Sequence, residues 1–227
     1  MNKTGKAEKR ATSQTRLVRN IYTILNRHYG DLKWWPGETP FEVIVGAILT
    51  QNTSWDNVSK AIKNLKAAVM LCPVKLNSAG QAEVAGLIRP AGYYNVKAGR
   101  LRNFLLFLFG EFGGDIDSMF SLEAVKLREK LLGINGIGEE TADSILLYAG
   151  AMPVFVVDAY TKRIMSRHGI IEGDPGYPEV QKLITANIPK DVKLYNQYHA
   201  LIVQTGKDFC RKKPLCGQCP LRGLGHA

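Results

Sequence analysis

Phe41, Ile44, Val45, Ile48 and Leu49 fall at i, i+3, i+4, i+7 and i+8 behind Pro40, and almost the whole chain repeats this helical spacing of apolar residues. The same period predicts helices at Val58 to Leu65, Leu101 to Leu108, Leu122 to Leu132, Ala142 to Tyr148, Ala159 to His168, Pro178 to Asn187 and Leu194 to Thr205. Only the run Val154-Phe155-Val156-Val157 reads locally as a strand. It has no alternating partner nearby, so it is expected to be a buried connector leading into a helix. The pattern predicts an all-α fold, without internal repeats.

A chain of 227 residues is long enough to bury a substantial core, as one large domain or as two interlocked lobes. Thirty Lys and Arg against twenty Asp and Glu give a formal net charge of +10, which favours a polyanionic partner. No segment approaches the roughly 18 uninterrupted apolar residues that a membrane-spanning helix needs. The first residues also lack the apolar core of a signal peptide, so the expected location is intracellular, in the cytoplasm or on a nucleoid. Residues 1–20 carry six basic side chains and one acidic one, and are expected to fray at their start.

Gly136 and Gly138 flank Ile137 just ahead of Thr141, between two helical patterns. Small residues let a ligand approach the backbone closely, and the first N–H groups of the following helix have no partner within it. Such a turn forms a cradle for a phosphate oxygen, with an ordinary helix-turn-helix connection as the alternative. Asp158 follows the apolar run and precedes AYTKRIMSRHG. It is placed to cap that helix. Beside a phosphate cradle, a carboxylate can also stabilise the positive charge that develops on a sugar when a glycosidic bond breaks, or orient the attacking water.

LLGINGIGEETADSILLYAG followed by VVDAYTKR resembles the helix-hairpin-helix and downstream aspartate of the endonuclease III superfamily of DNA base-excision glycosylases. The resemblance extends to PFEVIVGAILTQNTSW, PAGYYNVKAGRL and a cysteine-bearing C-terminal stretch. It implies two helical lobes: a central barrel of residues 36–152 carrying the hairpin, and a terminal lobe of residues 1–35 and 153–227, with hairpin and aspartate at the cleft between them. It also implies a monomer acting on double-stranded DNA, with the damaged base flipped out and Asp158 as the catalytic carboxylate. Strand-cutting members carry a lysine two positions beyond the second hairpin glycine, where this chain has Glu140. A carboxylate cannot form a Schiff base, so Glu140 implies hydrolysis without lyase activity, unless Lys162 or Lys207 supplies the amine.

WWP with ILTQNTSW resembles the 3-methyladenine glycosylase branch, in which the aromatic residues matching Trp35 and Trp55 face the excised base. An electron-rich sandwich of rings suits a cationic, alkylated purine. Gln51 and Tyr93 match residues that fill the gap left by the flipped base, and Gly136, Ile137, Gly138 and Thr141 match the DNA-contacting hairpin. Lys97, Arg100 and Arg102 are read either as phosphate contacts or as a solvated helix face. Cys210, Cys216 and Cys219 resemble the family's iron-sulfur loop, but the first gap is one residue short and Gly225 stands where the fourth cysteine belongs. Three thiolates can hold a 4Fe-4S cluster with His226, water or another group as fourth ligand; a zinc site and an empty reduced loop are the alternatives. Two other functions stay open: a bifunctional glycosylase and lyase for oxidised pyrimidines, and a non-catalytic helix-hairpin-helix DNA-binding protein.

Overall fold

The computed structural model describes residues 3–225, with side chains from Gln14 onward. In order come α1 (Lys3–Tyr29), α2 (Pro40–Leu49), α3 (Trp55–Ala67), α4 (Pro73–Ser78), α5 (Gln81–Leu87), α6 (Tyr94–Phe112), α7 (Ile116–Phe120), α8 (Ala124–Leu132), α9 (Glu139–Ser144), α10 (Ala159–Arg167), α11 (Tyr177–Thr185) and α12 (Val192–Asp208). Short 3-10 turns stand at Arg89–Ala91 and Cys216–Gln218, and α9 runs on into one π turn, Ile145–Ala149. Among the described residues there is no strand. The contacts divide the chain into two compact units, one of residues 35–154 and one formed by its two flanks.

In the internal unit α2 is the central element. Thr39 starts it by accepting the Glu42 N–H at 3.1 Å, and Pro40 supplies the preset φ of a first turn. The periodicity predicts one apolar face, yet every residue from Phe41 to Leu49 is buried, because α3, α6 and α9 all pack against it. The one charged residue among them, Glu42, is paired with Lys66 at 2.9 Å. Each fully buried Ile, Leu or Val here contributes about 1.5–3 kcal/mol, so this helix is the main apolar anchor of the unit.

The helices on either side of the glycine turn, α8 and α9, are joined by a charge pair. Asp143 is fully buried and accepts Nε of Arg128 at 2.6 Å and its Nη2 at 3.1 Å. The bidentate geometry sets the angle at which the two helices leave the turn.

In the flanking unit α1 and α10 both pack on α12. Val18, Ile21 and Leu25 of α1 are fully buried, and Tyr198 donates its hydroxyl to the Val18 carbonyl at 2.6 Å. The basic start of the chain, expected to fray, is helical from Lys3. Its Ala, Glu, Lys, Arg and Gln residues are good helix formers, and they extend a helix already anchored further on.

The apolar run before Asp158 is an extended connector, as its lack of a partner predicts. Its polar backbone groups are met by side chains: Val157 N–H donates to the Tyr177 hydroxyl at 3.2 Å, and Gln181 Nε2 donates to the Phe155 carbonyl at 2.6 Å. Helices α4, α5 and α7 were not anticipated, since five to seven residues are too few to establish a period. Replacing Arg128 with Met should leave the Asp143 charge buried without its main partner and lower unfolding free energy by about 3 kcal/mol, measured by urea denaturation at neutral pH.

Candidate functional site

Asp158 belongs to the flanking unit. It is the N-cap of α10, with extended backbone, and its Oδ1 accepts both the Thr161 N–H at 2.7 Å and the Thr161 hydroxyl at 2.8 Å. Oδ2 lies 3.5 Å from Nε2 of His199, and both side chains are almost wholly buried. Burial works against ionisation of this carboxyl, but the bond and charge of His199 and the two Thr161 donors outweigh it and hold the pKa below the ordinary carboxylate range. The site therefore keeps a carboxylate charged in an apolar setting. Neither His199 nor Thr161 was singled out from sequence. The available signal was a histidine among buried residues of α12, four after Tyr195 and three before Ile202.

Lys162, one of two alternative amines, forms an ion pair with Asp174 at 3.2 Å. Lys207, the other, holds its ammonium 5.5 Å from the Trp34 ring centre, an arrangement favoured by the ring quadrupole.

The internal unit carries the hairpin and the aromatic residues. Gly136 has φ +95, and a Cβ there would overlap the Arg100 side chain, so glycine is required on both counts. The first intrahelical bond of α9 runs from Ala142 N–H to Gly138 O at 2.9 Å, leaving the N–H groups of residues 138–141 outside the helical ladder. Ile137 and Thr141, read as DNA contacts, have buried side chains. Ile137 belongs to the apolar core, and Thr141 accepts Gln51 Nε2 at 2.8 Å. Thr141 keeps a backbone N–H outside the helical ladder, whereas that of Ile137 is donated to the Ile134 carbonyl at 3.0 Å. Glu140 is exposed in the first turn of α9, next to Glu139.

Gln51 is more than a loop residue. Its Nε2 also donates to the Gly136 carbonyl at 3.0 Å, and its Oε1 accepts from Arg100, so its amide ties the α2–α3 loop to the hairpin. Beside it Asn52 is exposed with φ +55. Tyr93 stands 74% exposed with φ +45 at the start of α6. Lys97, read as a phosphate contact or a solvated residue, is neither. It is 1% exposed, because its ammonium turns inward to backbone carbonyls.

Trp35 and Trp55 meet edge to face, with ring centres 5.0 Å apart, and Tyr148 lies 5.1 Å from Trp35 on another side. The rings form a half-buried corner in which the edge of one faces the other, where the resemblance implied an aromatic sandwich around the base. Gly46 makes its floor: a Cβ there would sit 3.4 Å from Trp35 and 3.6 Å from Trp55.

The cysteine loop does not fit the cluster that its resemblance implies. Among the described residues, no three Cys, His, Asp or Glu side chains converge to hold a metal ion. Cys210 is buried with its sulfur 3.2 Å from an Arg167 nitrogen, Cys216 is exposed, and burial pushes the Cys219 thiol pKa up. Gly225 has φ +71, and a Cβ there would come 2.8 Å from the His168 carbonyl oxygen, so the position has no room for a cysteine. The loop is braced instead by Arg163 on the Cys210 carbonyl at 2.6 Å and by Arg167 on that of Arg211 at 2.7 Å. His226 lies outside the described residues.

An all-helical protein that presents a glycine hairpin between two helices, and a buried aspartate capping a later helix, has the parts of a helix-hairpin-helix DNA glycosylase. The model of the HhH-GPD superfamily of base excision DNA repair proteins matches residues 45–190, and the chain belongs to that superfamily. It is 50% identical to a candidate DNA repair glycosylase of Methanocaldococcus jannaschii, over 91% of this chain and 94% of that one. Among solved structures it is similar to the 3-methyladenine DNA glycosylase of H. pylori bound to 1,N6-ethenoadenine, at 29% identity and a TM-score of 0.74, covering 86% of this chain and 97% of that one. The fold also matches that of an endonuclease III in a non-covalent DNA complex, with a TM-score of 0.80 at 22% identity, covering 93% and 94% of the two chains.

Two outcomes follow from this geometry. Gly46→Ala should be tolerated, whereas Gly46→Leu should force Trp35 aside and cost about 1–3 kcal/mol, read from tryptophan fluorescence and thermal unfolding. Because the Asp158 pKa is lowered on folding, its stabilising contribution is fully present above the ordinary carboxylate range and disappears as pH falls through the lowered value. The stability advantage of the wild type over Asp158→Asn should therefore be largest at neutral pH, begin to fall only below about pH 4 and disappear below the lowered pKa, measured by urea unfolding of both proteins.

Proposed function

We propose that the protein is a monofunctional DNA glycosylase that removes alkylated purines, such as 3-methyladenine, by hydrolysing the N-glycosidic bond. The observation that carries this reading is Asp158: a buried carboxylate kept ionised by His199 and Thr161. A charge held in an apolar setting, with its ligands already in place, stabilises an oxocarbenium-like sugar without reorganising during the reaction. An N3- or N7-alkylated purine is cationic while bonded to the sugar and departs as a neutral base, so its glycosidic bond needs less assistance than that of an ordinary purine.

Trp35, Trp55 and Tyr148 are the proposed base-binding surface. A cationic purine can stack on one ring face while its edge meets a second ring, and the likeness to the H. pylori enzyme supports that choice of substrate. The proposed DNA-binding elements are the hairpin backbone of Gly136, Ile137, Gly138 and Thr141, chiefly the N–H groups of Gly138 and Thr141, with Gln51 orienting the loop beside them. Tyr93 is the side chain proposed to enter the duplex, because its ring is exposed and its backbone is set in the left-handed region. Glu140, without an amine, supports hydrolysis with no covalent intermediate.

The test is a panel of duplexes, each carrying one lesion, assayed for free base and for strand cleavage with and without alkali. The expected result is release of 3-methyladenine, strand scission only after alkali, and no protein–DNA adduct trapped by borohydride. Asp158→Asn should lower single-turnover excision by about a thousandfold, in the range for losing a positioned carboxylate. A borohydride-trapped adduct would instead establish the bifunctional lyase, and no base release from any lesion would leave a DNA-binding protein.

A further inference from the structure

Lys97 is a cation buried to 1% exposure, and nothing in the chemistry proposed above uses it. Its ammonium donates to the Leu49 carbonyl at 2.8 Å and to the Ala91 carbonyl at 2.7 Å. Both acceptors close a helical segment: Leu49 is the last residue of α2, and Ala91 the last of the Arg89–Ala91 turn. Terminal carbonyls have no partner further along their own helix and carry partial negative charge, so one ammonium satisfies two such ends at once. Just beyond each bound carbonyl stands a non-glycine residue in the left-handed region, Asn52 three residues after Leu49 and Tyr93 two residues after Ala91. Asn adopts that conformation fairly readily, but for a bulky residue such as Tyr93 it is disfavoured and persists only where the surroundings impose it. Arg100, one turn further along α6, bonds the Gln51 amide, which in turn reaches the hairpin.

We propose that Lys97 is a positioning residue, a buried strut that locks the Gln51 loop and the Tyr93 turn to each other so that both meet a DNA strand as one rigid edge. The strut itself stands on the geometry alone; its use against DNA rests on the function proposed above. Burial and the neighbouring Arg100 lower the Lys97 pKa, but a neutral amine still has two N–H groups, so the tie survives loss of the proton.

Lys97→Met keeps the length of the side chain and removes both donors. Hydrogen exchange followed by mass spectrometry should show amides of residues 49–54 and 89–95 exchanging about tenfold faster, as expected for losing one to two net hydrogen bonds, with the rest of residues 35–154 unchanged. Unchanged exchange in both segments, or a uniform rise across the unit, overturns the strut. If Lys97→Met does not fold, Lys97→Arg takes the same measurement, because its broader head fits the two carbonyls poorly; a rise confined to both segments is again expected, and anything else overturns the proposal.

The DNA arm uses a duplex holding an abasic-site analogue next to 2-aminopurine. Wild type should raise the fluorescence by unstacking the base, Lys97→Met should lose most of that rise, and adding Tyr93→Ala should lower it no further. Additive losses would show that Lys97 does not act through the Tyr93 turn. Absence of a signal with wild type would count against the glycosylase reading, while the exchange result still decides the strut.

Discussion

Two cationic heads on one face of α6 organise the internal unit. Lys97 joins the end of α2 to the turn before Tyr93, and Arg100 holds the amide of Gln51, which reaches the glycine hairpin. The α2–α3 loop, the Tyr93 turn and the hairpin therefore share one set of polar bonds within a largely apolar core. Loops are usually the least rigid part of a fold, because water competes for their backbone groups. Here the carbonyls next to the loop tips are buried and bonded, so the exposed residues Asn52 and Tyr93 project from a fixed base. Glycine at 136 belongs to the same arrangement, since any side chain there would displace Arg100.

In the flanking unit one carboxylate serves two purposes. Asp158 terminates the extended connector by capping α10, which accounts for its bonds to Thr161. His199 from α12 supplies the compensation that a cap on the surface would obtain from water. The result is a charge whose environment is already arranged, which is what stabilising a developing cation requires. The stability that folding gains by keeping Asp158 ionised and the chemistry proposed for it have the same physical origin.

Much of this was legible in the amino-acid order. Helical periodicity located most of the longer helices after α1, and the unpartnered Val154–Val157 run was rightly read as a connector, because a strand needs a neighbour to satisfy its backbone. The cap at Asp158 and the glycine turn at 136 could be read locally, although the clash that excludes a side chain at 136 comes from the distant Arg100. Lys97 was misread because a lysine one turn from an arginine has the spacing of a solvated face, and spacing does not reveal which way the ammonium turns. Ile137 was read as part of the DNA-contacting hairpin; its side chain completes the core, so any such contact falls to the hairpin backbone. The tryptophans were rightly grouped, but their edge-to-face packing depends on Gly46 and Tyr148, which no motif joins to them. The cysteine spacing suggested a cluster, and only the approach of the His168 carbonyl to Gly225 shows that the fourth position is closed.

By itself, then, the sequence determined most of the longer helices after α1, the cap at Asp158, and the family's hairpin and aspartate, because each depends on residues within a few positions of one another. The tertiary structure decided the partners. Gln51 meets Gly136 and Thr141 across 85 and 90 residues, and Lys97 meets Leu49 across 48. Such contacts form only when packed helices bring buried polar groups together and water is no longer there to satisfy them, so no local pattern specifies them.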